Sequence, residues 1–198
     1  MVNLKSVELV LASGSPRRVE LLRQAGYTFE VRVPDLKEDD LSAADPRALV
    51  QSLAYAKARQ IADTLSEGIV LGADTVVCLG DEVIGKAHDA VQAREILGRL
   101  TGTTHSVLTG VCLVDASRGE RLCGCDETRI TMKKLTDQEL EEYVRSGEGI
   151  GKAGAYAIQE KGDRFVERVD GSFTNVVGLP MEMLEQMLSE MMRLVRPS

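Results

Sequence analysis

The sequence predicts a mixed α/β fold whose sheet carries both parallel and antiparallel strands. Short β-branched runs alternate with helical patterns through the first half of the chain. Two long alternating runs, 106–115 and 120–132, meet at Ser117-Arg118-Gly119 and read as an antiparallel hairpin. That hairpin argues against a purely parallel, doubly wound sheet. With no linker, repeat or low-complexity tract in its 198 residues, the chain is expected to form one domain over 1–198.

The elements follow in order. Leu9–Ala12 is a short apolar strand that breaks at Ser13-Gly14-Ser15-Pro16. A helix over Pro16–Ala25 follows, with Ser15 at the N-cap, Pro16 at the first helical position and Gly26 as a stop. Phe29–Val33 reads as a strand. Asp45-Pro46 repeats the cap-and-proline signature and opens a helix running to about Leu65. Strands are expected at Gly68–Leu71, Thr75–Leu79 and Glu82–Ile84, then a helix over Ala90–Leu100. After the hairpin, Thr136 and Glu139 form a capping box for a helix that stops at Gly147. Phe165–Val169 is the last strand. A final helix, Pro180–Val195, aligns Leu184, Met187, Leu188, Met191 and Val195 on one face, a stripe suited to core or dimer packing.

Composition excludes some functions. The net charge of −7 disfavours nucleic-acid binding, so basic residues matter only where they converge. Every apolar run is too short to cross a membrane. Val7–Ala12 is too short for a signal peptide and carries Glu8, so a cytoplasmic protein is expected. The four cysteines are Cys78, Cys112, Cys123 and Cys125. Cys123-Gly124-Cys125 is C-x-C rather than a C-x-x-C zinc or redox motif, and four reduced thiols are expected.

Arg17 and Arg18 fall in the first turn of a helix, where each cation costs about 0.3–1 kcal/mol against the dipole. A polyphosphate bound at the free N–H groups of that turn would reverse the sign. The alternative is that both arginines point outward and pair with surface carboxylates such as Glu20. Asp74 interrupts an apolar run between Val70 and Val77. A carboxylate so placed needs a cation, a metal or a donor, or else marks a turn between two short strands. Lys57, within a helix, and Lys86, just after a strand, are each either solvated or in reach of phosphates. The Gly-rich stretch 151–180 is neither a P-loop nor a dinucleotide fingerprint. Within it the amide of Gln159 suits a base edge, and Asn175 suits a turn. The two histidines, His88 and His105, sit in no nucleophile motif, which favours direct attack by activated water over a covalent intermediate.

Taken together, "LASGSPRRVELL", "LAYAKA", "GADTVV", Gly85-Lys86, "GTTHSVLTGV" and "KAGAYAIQ…GSFTNVVGLP" resemble the Maf-type nucleoside triphosphate pyrophosphatases from about Leu9 to Leu184. The resemblance implies a fold related to the inosine triphosphate pyrophosphatases, with two lobes around a cleft. It implies hydrolysis of nucleoside triphosphates to monophosphate and pyrophosphate with a divalent metal, Mg²⁺ or Mn²⁺, in a cytoplasmic and often dimeric protein. The matched positions make Asp74 the proton acceptor and a metal ligand, and make Glu38 a second ligand. Lys57 and Lys86 would flank the triphosphate, and Ser13, Arg17 and Arg18 would form the phosphate-binding turn. "SPRR" and "AYAIQ" resemble the branch that prefers dTTP and UTP, with Arg17, Thr75 and Gln159 as specificity positions. The chain departs from the family pattern at Lys37, Ala87, Gly151 and Glu160. A nucleotide-binding regulator of septum formation with little turnover, and a phosphatase releasing single phosphates, are the other readings.

Overall fold

The structure is a computed structural model described over residues 7–36, 45–159 and 161–195. Its elements are β1 (Leu9–Ala12), α1 (Pro16–Gln24), β2 (Phe29–Arg32), α2 (Pro46–Ala62), β3 (Ile69–Leu79), β4 (Glu82–Ile84) and α3 (Ala90–Leu100). Then come β5 (Thr104–Asp115), β6 (Arg121–Met132), α4 (Asp137–Arg145), a 3₁₀ turn (Lys161–Phe165), β7 (Val166–Asp170), α5 (Phe173–Val177) and α6 (Met181–Leu194). The strands run in the order β2-β1-β3-β5-β6-β7, with β4 paired to β3. β1 pairs in parallel with both β2 and β3, while β3–β4 and β6–β7 are antiparallel. No described helix is long and apolar enough to cross a membrane.

Two compact units divide the chain: Met1–Asp74 with Thr109–Asp126 and Gly178–Ser198, and Thr75–Leu108 with Glu127–Val177. In the first, α2 starts as its sequence dictates. The Asp45 carboxylate accepts from the Arg47 and Ala48 N–H groups, and Pro46 occupies the first turn. The helix then lies directly on strand backbone. A methyl group at Gly72 of β3 would stand 2.1 Å from the Ala54 carbonyl, and one at Gly110 of β5 would stand 2.3 Å from the Val50 carbonyl. Val10, Ala12, Ala54, Ala58, Ile61, Val70, Cys112 and Val114 close the core around this contact. Small residues on both sides let helix and sheet approach closely, which maximises dispersion contacts.

In the second unit, α4 begins with the expected capping box: Thr136 Oγ1 accepts from the Glu139 N–H, and the Glu139 carboxylate accepts from the Thr136 N–H. Tyr143 of α4 packs edge-on against Phe165 at 5.1 Å between ring centroids. α5, which the sequence reading leaves out, is a single turn that starts at Ser172, whose Oγ accepts from the Asn175 N–H at 3.3 Å, and stops before Gly178. It forms around Asn175, which is buried and donates to the Val107 carbonyl and to Thr128 Oγ1. Asn175 thus ties this segment to two strands rather than merely shaping a turn.

Two expectations change. The separate strands 68–71 and 75–79 are one continuous strand, β3, and Asp74 lies within it rather than in a turn. Nor are all four cysteines reduced: Cys112 and Cys123 are bridged, with Cα atoms 4.1 Å apart on neighbouring strands. Cys78 and Cys125 remain free, and burial pushes the Cys78 thiol up to about 11.

Candidate active site

The chain passes from β1 outward to β2 and then back across to β3 on the other side of β1. Such a reversal leaves a crevice at the carboxyl ends of the parallel strands, where open α/β sheets take their ligands. Ser13–Pro16 lies at that end of β1. Because Ala12 pairs with Gly72, the start of α1 runs beside the stretch of β3 that leads to Asp74.

Ser15 occupies the N-cap of α1 without a side-chain cap bond; its N–H instead donates to Ser13 Oγ at 3.2 Å. Arg18 turns inward. Its Nε donates to the Gly178 carbonyl at 2.8 Å, and Nη1 donates to Ser13 Oγ at 3.2 Å. These acceptors offset the desolvation of a guanidinium at a buried position. Arg17 is half-buried and, among the described residues, makes no side-chain hydrogen bond or ion pair. The outward pairing with Glu20 is not observed: the Glu20 carboxylate accepts from Gln24 Nε2. The positive end of α1 therefore carries one guanidinium woven into the protein and a second, half-exposed one beside it.

Lys57 and Asp74 form the second feature. Lys57 Nζ donates to Asp74 Oδ1 at 2.6 Å, and the two residues are 8% and 5% exposed. Pairing offsets part of the cost of burying each charge, and removing one partner strands the other. The geometry follows from backbone periodicity. Gly72 and Asp74, two residues apart on β3, face the same side, where α2 lies. Lys57 belongs to the buried stripe of α2 with Val50, Ala54, Ala58 and Ile61. A lysine in that phase is a signal the sequence held: Leu53, Ala54 and Ile61, at three- and four-residue spacing from it, are core residues.

Thr75 follows Asp74 on β3 and is half-buried. In the second unit, Lys86 is exposed and its backbone bridges Ala153, while the Gly151 N–H donates to the Ala87 carbonyl at 2.8 Å. Gln159 is exposed at the end of the buried run Gly154–Ile158. Glu38 lies outside the described residues.

Among the described residues, no three His, Cys, Asp or Glu side chains cluster as a metal cage. The donor set still fits a magnesium-like ion. The Asp74 carboxylate is a hard oxygen ligand, and such ions are commonly held by one or two carboxylates together with substrate phosphates.

In this α/β protein a helix start bearing two arginines stands at a switch point of the sheet, and a buried lysine–carboxylate pair joins the neighbouring helix and strand. The family model for Maf-like proteins matches residues 8–191, and the chain belongs to that family. It is 44% identical to the dTTP/UTP pyrophosphatase of Symbiobacterium thermophilum over 92% of this chain and 93% of that one. It is 42% identical to the dTTP/UTP pyrophosphatase of Pelotomaculum thermopropionicum (92% and 96%), and 42% identical to that of Elusimicrobium minutum (93% and 98%). Among solved structures, lipoprotein GNA1162 from Neisseria meningitidis aligns with a TM-score of 0.27 and 17% identity over 71% of this chain and 91% of that one, too distant to carry an argument.

Proposed function

We propose that this chain hydrolyses pyrimidine nucleoside triphosphates, dTTP and UTP, to the monophosphate and pyrophosphate. The observation that carries the reading is the buried Lys57–Asp74 pair beside the switch-point turn Ser13–Arg18, in a chain over 40% identical to enzymes with that name. The phosphates lie along the turn, met by the free N–H groups of α1 and by the Arg17 guanidinium, with Arg18 holding the turn in shape. Lys57 and Lys86 supply further positive charge. Asp74 keeps acceptor capacity beyond its bond to Lys57 and takes a proton from the water that attacks the α-phosphorus. The bond to the β-phosphate oxygen breaks, and pyrophosphate leaves with its charge met by the basic side chains. Asp74, with Glu38 as the second ligand expected from sequence, would hold a divalent cation, which would supply charge neutralisation at the triphosphate. Gln159 reads the base edge, and Arg17 and Thr75 complete the selection of dTTP and UTP. Nucleotide-pool housekeeping, a homodimer and the cytoplasm belong to the same reading, as does an inosine triphosphate pyrophosphatase-like fold.

The test is product identification with dTTP and Mg²⁺. Asp74→Asn is expected to lower turnover by about 10²–10⁴-fold while nucleotide binding is largely kept. Near-normal turnover in that variant removes Asp74 from the chemistry. Orthophosphate instead of pyrophosphate from the parent protein overturns the reaction itself.

A further inference from the structure

The run Gly154–Ile158 is buried yet belongs to no helix or strand. Irregular backbone seldom runs through an interior, because its polar groups need partners there. This one is also strained: Ala155 has φ 56, the one described non-glycine residue with positive φ. Backbone held in a rare conformation persists only where its surroundings over-determine it, and such positions cluster at functional sites.

The surroundings here are specific. Tyr156 Oη meets His105 Nε2 at 2.9 Å, and the two rings stack edge to face at 5.6 Å. Both residues are buried, and His105 Nδ1 has no hydrogen-bond partner among the described residues, so the Tyr156 contact is the imidazole's anchor. A second brace holds the other side. The Ala157 N–H donates to Tyr143 Oη at 3.3 Å, Tyr143 donates to the Glu148 carboxylate at 3.0 Å, and that carboxylate also accepts from the Gly162 N–H. Glycines close the cage: a methyl group at Gly149 would stand 2.1 Å from the Ala155 carbonyl, and one at Gly162 would stand 2.5 Å from the Ala157 carbonyl. Gln159 emerges exposed at the end of this run, three residues after Tyr156.

We propose that His105–Tyr156 and Glu148–Tyr143 act as paired braces that fix the strained run 154–158 and so aim the Gln159 amide at the nucleobase. They are positioning residues for base selection. The proposal rests on the reading of Gln159 as the base-reading group. An amide discriminates only when its donor and acceptor are held in place, since a mobile one re-forms its bonds to a different base edge. Loosening either brace therefore weakens selection before it weakens chemistry.

The experiment measures kcat and KM for dTTP, UTP, dATP and GTP in the parent and in Gln159→Ala, Tyr156→Phe, Tyr143→Phe and Ala155→Gly. Tyr156→Phe and Tyr143→Phe each remove one hydroxyl. Ala155→Gly relieves the backbone strain and leaves a folded chain with a freer run. The expected result is a loss of about tenfold in the pyrimidine-to-purine ratio of kcat/KM in all four variants. The loss falls mainly on KM for dTTP, with kcat within about threefold of the parent. If Gln159→Ala lowers the ratio while the two hydroxyl deletions and Ala155→Gly leave it intact, the braces are structural only and the inference is overturned, while the base-reading role of Gln159 stands. If Gln159→Ala leaves the ratio unchanged, the base-reading role itself fails and takes the inference with it. Should either hydroxyl deletion not fold, Ala155→Gly decides between these outcomes.

Discussion

Gly72 offers the sharpest test of how packing sets the site. A methyl group there would stand 2.1 Å from the Ala54 carbonyl and 2.8 Å from the Ala58 nitrogen, both backbone atoms of α2. Neither can rotate away, so Gly72→Ala must push the helix back by about 1 Å to reach ordinary contact. Lys57 rides on the same helix face, its Nζ 2.6 Å from Asp74. Adding about 1 Å takes that contact past hydrogen-bond range. Overpacking alone costs about 1–3 kcal/mol, and the weakened buried pair adds to it. A total of roughly 3 kcal/mol lowers Tm by roughly 6–12 °C for a chain of this size. If that pair acts as proposed, displacing it by about 1 Å is expected to cost on the order of 10²-fold in turnover. Initial rates of pyrophosphate release from dTTP and thermal melts measure both. Gly98→Ala is the control: it sits in α3 with no atom within 4 Å of the added methyl, and should stabilise by about 1 kcal/mol with turnover unchanged. If Gly72→Ala keeps its Tm and turns over within about threefold of the parent, the close approach does not set the Lys57–Asp74 geometry.

Burial lowers His105 from its ordinary 6.5 to about 4, so the unfolded chain binds a proton that the folded chain refuses between those values. Stability is therefore full above pH 6.5 and falls as pH drops toward 4, by about 3 kcal/mol from this group. Denaturant melts at pH 7.5 and 4.5 should show a slope that His105→Gln lacks, and parallel losses in the two proteins would refute it. Reducing the Cys112–Cys123 bridge, which spans a sequence separation of 11, should cost about 3 kcal/mol by loop-closure entropy; melts with and without dithiothreitol read it. Thr136→Ala removes one half of the α4 capping box and should cost about 1 kcal/mol in a denaturant titration.

Local rules carried much of this structure. Asp45-Pro46 and Thr136–Glu139 mark helix starts because capping is a contact within four residues, and the structure places both starts there. What sequence reading missed depends on partners far along the chain. Asp74 sits comfortably inside a strand because Lys57, seventeen residues earlier, meets it from a helix. Turn preference sees only neighbours and so offered a turn as well. Cys112 and Cys123 lie symmetrically about Ser117-Arg118, so strands paired across that turn set them opposite each other; counting motifs by spacing alone passes over that symmetry. Ala155 carries no local signal at all, since alanine avoids the left-handed region, and only its cage explains it. For the candidate site, ordered motifs named the residues, but the inward turn of Arg18 was invisible because its acceptor is 160 positions away.

That last contact has a consequence for how the protein is made. The ribosome delivers Arg18 160 residues before Gly178, so the nascent chain has every residue of its first turn long before it has the carbonyl that holds Arg18 in place. A chain cut short before Gly178 would lose that anchor although every side chain of the first turn is already present. The turn can take its final shape only after Gly178 has been made and folded back onto it.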